Sequence, residues 1–283
     1  MTDALDGVRD HYRATGLTER LKIALTVLGP EDQRLTPQQL VALDQFHTRG
    51  LAATAELAKL AGITADMSVL DVGSGVGGPA RFLAATYGCL VTGIDLSEPF
   101  VDAARYLSQR TGQSEQVSFH TASALELPFE DSHFDVVLLQ HVAMNIADRT
   151  RLYREIRRVL KPGGRFATFD VVANGSEPYY PVPWARTLAT SFLLTADATH
   201  EAIEKAGFRT LAWQDDTEAA KAWITQLRAS GQPPSPNLSV VMGPDFAQLS
   251  TNLWRNLLEG RLGILTAVFE ATPAKTLIHL ENC

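Results

Sequence analysis

Cysteine is scarce: the 283 residues contain two, Cys89 and Cys283. With no secretory signal in view, two cysteines exclude a disulfide framework and point to a reducing compartment. Clustered positive charge is also missing. No run of Lys or Arg exceeds two residues, and 32 acidic side chains outweigh 25 basic ones, for a net charge of -7. A surface that tracks nucleic-acid phosphates is therefore not expected. No apolar run approaches the roughly 20 residues that span a bilayer, so no membrane partner is expected either. The opening "MTDALDGVRDHY" is polar and acidic, unlike a signal or transit peptide, and a cytoplasmic location follows as the expectation. Zinc-spaced Cys/His sets and the H-E-x-x-H pattern are absent, so no metal is expected.

What is present has two textures. Residues 3 to 62 read as helical, with apolar residues at helical spacing in "LTERLKIALTVL" and a Thr36-Pro37 start signal before "QQLVALDQF". "GLAATAELAKLAG" is rich in Ala and Leu and stops at Gly62. From "SVLDVGSG" onward, short apolar strands alternate with amphipathic helices, through "CLVTGIDLS", "VSFHTASA", "FDVVLLQHV" and "RFATFDVV". That alternation predicts an α/β fold with a doubly wound parallel sheet. "VLKPGG" is expected to close a helix. After Val172 the pattern loosens, and segments at about 173–200 and 218–260 read as insertions over one end of the sheet. Ligands of open α/β sheets sit outside the carboxyl ends of the strands. The expected organisation is a helical cap at 1–62 and a core at 63–283 whose insertions act as a helical lid.

"VLDVGSGVGG", residues 69–78, raises the question of the ligand. Gly73, Gly75 and Gly78 spell the dinucleotide fingerprint, with Asp95 about twenty residues on. Three features turn away from a pyrophosphate. Asp71 would repel it, whereas a ligand with a cationic ammonium or sulfonium end would tolerate the acid. Pro79 removes a backbone N–H where a pyrophosphate needs donors. About sixty helical residues also precede the motif.

Taken in order, "VLDVGSGVGG", "VTGIDLS", "LELPF", "FDVVLLQHV" and "VLKPGGRF" resemble class I S-adenosylmethionine-dependent methyltransferases. The resemblance covers about residues 40 to 270. It is nearest to small-molecule members, namely sarcosine/dimethylglycine, phosphoethanolamine and tocopherol-type methyltransferases. It implies a Rossmann-like seven-stranded sheet with the last strand antiparallel, and "RLGILTAVFEAT" fits that strand. It implies S-adenosyl-L-methionine as cofactor and a small metabolite or natural product as methyl acceptor. Two other readings stay open: an enzyme that binds the cofactor without transferring methyl, by pericyclic or decarboxylating chemistry, and a non-catalytic binding subunit.

On the residues, Gly73, Ser74 and Gly75 are expected to let the backbone approach the methionine part of the cofactor. Asp95 can accept from both ribose hydroxyls, with Leu96 on the adenine; the bland alternative is a helix cap, a role Ser97 fits better. Ser123, Ala124 and Leu125 take the adenine-edge position, where the family usually has Asp-Ala. Ser123 offers an uncharged acceptor there, or leaves the contact to the backbone. Gln140 and His141 end the central strand beside the transferred methyl. His141 is the candidate catalytic base; the alternative is a side chain that orients substrate. Asn145 stands where phosphobase enzymes carry an assisting His, and it cannot be a base. Phe46 and His47 are placed at the cofactor's methionine end, with Arg49 available for a carboxylate. Tyr12, Tyr180, Trp184 and Phe192, with Asn145, are the expected acceptor wall.

Overall fold

The computed structural model describes residues 16–231 and 236–272. Tyr12 and the tail after Thr272 lie outside the described residues. Among the described residues seven strands form one sheet: β1 (Ser68–Val72), β2 (Leu90–Asp95), β3 (Val117–Thr121), β4 (Phe134–Gln140), β5 (Leu160–Ala173), β6 (Phe208–Asp215) and β7 (Leu262–Ala271). Their order is β3-β2-β1-β4-β5-β7-β6. β1 to β5 pair in parallel, and β7 runs antiparallel to both of its neighbours. The expected α/β architecture and the reversed last strand are both present.

The apolar run of β4 reflects burial on both faces. Val136 and Leu138 belong to one core cluster with Leu57, Leu83 and Val101, while Val137 and Leu139 belong to the other with Leu152 and Ile156. The helices are α1 (Leu17–Leu25), α2 (Pro37–Asp44), α3 (Gly50–Ala61), α4 (Gly78–Tyr87), α5 (Glu98–Arg110), α6 (Arg149–Val159), α7 (Ala196–Lys205), α8 (Thr217–Ala229), α9 (Ser239–Met242) and α10 (Phe246–Leu258). α2 begins as the Thr36-Pro37 signal predicts: the Thr36 N–H donates to Gln39 Oε1 at 2.9 Å, a capping-box contact.

Two details differ from the sequence reading. "KPGG" does not simply end α6. It lies within β5, whose register on β4 shifts between Phe134 and Val136, so the glycines form an irregular strand entry. The first insertion is not helical before Ala196 apart from the turn Leu188–Thr190. Pro178, Pro181 and Pro183 explain this, because each lacks the N–H a helix interior needs. The second insertion is helical, as α8, α9 and α10.

The N-terminal helices are fastened to the glycine loop. Asp44, at the end of α2, makes a buried ion pair with Arg81 of α4 at 2.8 Å. Arg81 also donates to the Val76 carbonyl at 2.8 Å. Removing one partner would strand a buried charge, a cost of roughly 3–5 kcal/mol. Gly78 permits the approach: a Cβ there would lie 2.2 Å from the Asp44 carbonyl oxygen. Leu17, Leu21, Leu40 and Leu43 then pack with Phe100 and Leu107 of α5 and Val241 of α9. The two insertions are tied together by asparagines of α10. Asn256 accepts from the Tyr179 N–H at 2.8 Å and donates to its carbonyl at 3.0 Å, and Asn252 donates to the Pro181 carbonyl at 2.8 Å. No helix among the described residues is long and apolar enough to cross a membrane.

Candidate active site

β1 lies between β2 and β4, so the chain leaves it toward both sides of the sheet. A crevice forms at such a switch point, outside the carboxyl ends of the strands. Here it is a cavity of about 1140 Å³, open mouth included. It has two walls of different character.

The first wall follows β1, β2 and β3. Gly73 and Gly75 both take positive φ, 73° and 54°. Only glycine adopts such angles without strain. A Cβ at Gly73 would lie 2.4 Å from the Val142 side chain, and one at Gly75 would lie 3.0 Å from the Phe46 ring. The loop is held by its own amides: the N–H groups of Gly73 and Ser74 both donate to the Ile94 carbonyl, at 2.8 and 2.9 Å. Asp95 Oδ2 accepts the Gly75 N–H at 3.0 Å and Oδ1 accepts the Ser97 N–H at 2.9 Å. Each carboxylate oxygen has two lone pairs, so acceptor capacity remains on the cavity side. Burial raises the Asp95 pKa. Ser123 Oγ accepts the Leu125 N–H at 3.2 Å, so part of its acceptor capacity is spent locally.

Behind this wall Asp71 is buried, and its Oδ2 has no hydrogen-bond partner. Burial, then the neighbouring Asp95 charge, push its pKa up to about 7. The pair of acids makes this end of the cavity receptive to a cation.

The second wall begins where β4 ends. His141 has φ 53°, uncommon for a residue with a side chain. Its N–H donates to the Phe169 carbonyl at 2.8 Å. Its ring stacks on Phe169, centroids 5.3 Å apart and planes 11° from parallel. The Nε2 atom lies 3.5 Å from Thr48 Oγ1. Burial, then the neighbouring His47, hold the His141 pKa well below the usual imidazole value. The following turn is pinned by Asp170, whose carboxylate accepts the N–H groups of Ala143 and Val171, both at 2.8 Å. Burial lifts the Asp170 pKa to about 6. Met144 accepts the Phe192 N–H at 2.8 Å through its carbonyl. Trp184, buried, donates its indole N–H to Ser191 Oγ at 3.0 Å.

Twelve of the residues expected from sequence line this cavity together: Phe46, Gly73, Gly75, Asp95, Leu96, Ser123, Ala124, Leu125, Gln140, His141, Asn145 and Trp184. Five others stand off it. The Ser74 side chain turns toward Gly93, where an added Cβ would lie 2.8 Å from its own. His47 sits in a buried polar cluster, with Nε2 3.1 Å from the Thr54 hydroxyl, which in turn lies 3.4 Å from both Gln45 and Gln140 side-chain oxygens. Burial lowers its pKa to about 4. Tyr180 packs against the core, and Phe192 contributes its backbone to the Met144 contact rather than a ring to the cavity. Arg49 is engaged with protein carboxylates, Asp216 at 3.0 Å and Glu56 at 2.7 Å. Sequence reasoning missed Ile94, Phe100 and Ala122 on the first wall and Met144, Ile146, Pro183, Met242 and Leu253 on the second. Among the described residues no three His, Cys, Asp or Glu side chains gather as a metal set.

Residues 70–168 match the family described as the methyltransferase domain. Methyltransferase GfsG of Streptomyces halstedii is 31% identical over 225 residues, which cover 77% of this chain and 78% of that protein. The chain belongs to the S-adenosylmethionine-dependent methyltransferases. Two solved structures share the methyltransferase's fold. Phosphoethanolamine N-methyltransferase 2 of Haemonchus contortus, in complex with S-adenosyl-L-methionine, superposes with TM-score 0.71 at 19% identity over 94% of this chain and 60% of that one. The [4+2]-cyclase SpnF superposes with TM-score 0.65 at 24% identity over 86% and 99%.

Proposed function

We propose that the methyltransferase holds its cofactor along the β1–β3 wall and its acceptor along the β4 wall, with His141 facing the reacting atoms. The observation that carries this reading is the contact between the two walls. Val142 of the acceptor turn presses on Gly73 so closely that no side chain fits between them. A ligand resting on the glycine loop is therefore next to one resting on the 141–146 turn.

The residues fit the cofactor. Gly73 and Gly75 leave a bare backbone for a methionine chain, and Phe46 covers it. Asp95 would take the ribose hydroxyls, Leu96 and the 123–125 stretch the adenine. The unpartnered Asp71 oxygen and its raised pKa suit a cationic ligand. S-adenosylmethionine, when bound, supplies an electrophilic methyl carbon together with its own leaving group. What the chain must add is alignment and exclusion of water, which together can account for much of the rate. The N-terminal helices and the second insertion, joined through Val241, would form the cover. His141 is uncharged at neutral pH, so it can accept a hydrogen bond or a proton from an acceptor group. The acidic chain favours a small-molecule acceptor over nucleic acid.

Calorimetric titration with S-adenosylmethionine tests the cofactor half; absence of binding would sink the reading. Incubation with methyl-labelled cofactor and pooled metabolites tests transfer. Binding with label that never leaves the cofactor would favour chemistry without methyl transfer on the same fold.

A further inference from the structure

The cavity is nearly free of charge. Among the described residues that line it, Asp95 and His141 alone are ionisable. Asp95 belongs to the cofactor wall and already holds the Gly75 and Ser97 amides. His141 is kept neutral by burial and by His47. The cations near the second wall are committed elsewhere. Arg49 pairs with Asp216 and Glu56. Arg149 donates to the Ile146 and Phe192 carbonyls and to the Tyr153 hydroxyl. Asp170, the buried acid that pins the 141–146 turn, is occupied by the Ala143 and Val171 amides and does not line the cavity.

The wall itself is built from Val142, Met144, Ile146, Trp184, Met242 and Leu253. Only Gln140, His141 and Asn145 interrupt it with polar groups, and all three are uncharged. Among the described residues of this wall, a phosphate or carboxylate buried here would meet no cation, and an ammonium no carboxylate. A hydroxyl, by contrast, finds neutral hydrogen-bond partners at one end and apolar surface for its carbon skeleton.

We propose that the acceptor is an uncharged, predominantly apolar molecule that presents a hydroxyl group to the Gln140–His141–Asn145 end of the cavity. This rests on the methyltransferase reading above. The hydroxyl oxygen forms the new O–C bond as the methyl C–S bond breaks, and the C–S electron pair stays on sulfur. The hydroxyl proton passes to a ring nitrogen of His141, leaving a methyl ether. A weakly basic imidazole is sufficient, because the oxygen's proton becomes strongly acidic as the oxygen is alkylated.

The test uses one carbon skeleton with four head groups: octan-1-ol, octanoate, octylamine and octyl phosphate. Each is titrated into the full chain saturated with S-adenosylhomocysteine, followed by the fluorescence of Trp184, with Trp184→Phe as the control for signal origin. Octanol should bind at least about tenfold tighter than each charged analogue. Equal or tighter binding of any charged analogue would overturn the proposal, and so would failure of all four to bind. Binding is read without methyl transfer, so the two readings separate. The octanol preference with no labelled product from any metabolite pool would keep the substrate class and remove the transfer reading. Labelled product that is an acid, amine or phosphate would do the reverse.

Discussion

The β1–β3 wall of the cavity comes largely from Gly73, Gly75 and two short stretches, residues 94–97 and 122–125, whereas the opposite wall draws on residues from 140 to 253. The first wall is set by a glycine loop, held by amides that donate to Ile94 and Asp95. The second gathers residues distant in sequence, brought together by the Asp170 contacts and by the asparagine ties between the insertions. A wall shaped by a glycine loop tolerates little change there, since its shape depends on glycine conformations. A wall of the second kind can be rebuilt residue by residue without disturbing the sheet. This contrast suits a family that keeps one methyl donor and varies its acceptors.

Four substitutions put that contrast under strain. The largest effect is expected from His141→Ala, which should lower turnover by about 10²–10⁴-fold while leaving cofactor affinity intact. The wild-type pH profile should show no acid limb near 6.5 from this ring, because its proton is held off well below that pH. A limb at 6.5 that vanishes in the variant would contradict the assignment. Gly73→Val attacks the other wall through both its positive φ and its contact with Val142. It should weaken cofactor binding by roughly a hundredfold, measured calorimetrically, with a cooperative melt retained.

Asp71→Asn should act on stability and binding in opposite directions. The carboxyl's pKa is raised from 3.8 to about 7 in the folded chain. The folded state therefore holds this proton more tightly than the unfolded state, and the stability it confers is present below pH 3.8 and lost as pH rises through 7. The variant should gain thermal stability over wild type at pH 8, gain none at pH 4, and bind the cationic cofactor several-fold more weakly. A destabilised variant at pH 8 would count against a strained carboxyl. The smallest effect belongs to Ser123→Asp. Restoring a charged acceptor at the adenine edge should tighten cofactor binding by only a few-fold, about 1 kcal/mol, and unchanged affinity would indicate that the backbone makes this contact.

The same contrast explains what was legible in the sequence. Gly73, Gly75, Asp95 and the 123–125 stretch stand at strand ends, and alternation of strands and helices locates strand ends directly. Phe46 was legible only through the family resemblance, because the Asp44–Arg81 pair that seats it joins residues 37 positions apart. On the second wall, His141, Asn145 and Trp184 were found by position or residue type. Met242 and Leu253 were not, because their place depends on how α9 and α10 pack, and an apolar residue on a helix carries no mark of whether it meets the core or a ligand. Tyr180 and Phe192 were misplaced for a related reason. Their loop is set by prolines and by ties to α10, so aromatic composition alone did not say which rings turn inward.

The division of the cavity into a cofactor wall and an acceptor wall is tested most directly by one paired titration. S-adenosylmethionine is titrated calorimetrically into Asp95→Asn and His141→Ala side by side with wild type. The account predicts affinity reduced by about tenfold or more in Asp95→Asn and unchanged in His141→Ala. Equal losses in both variants, or a loss confined to His141→Ala, would contradict it.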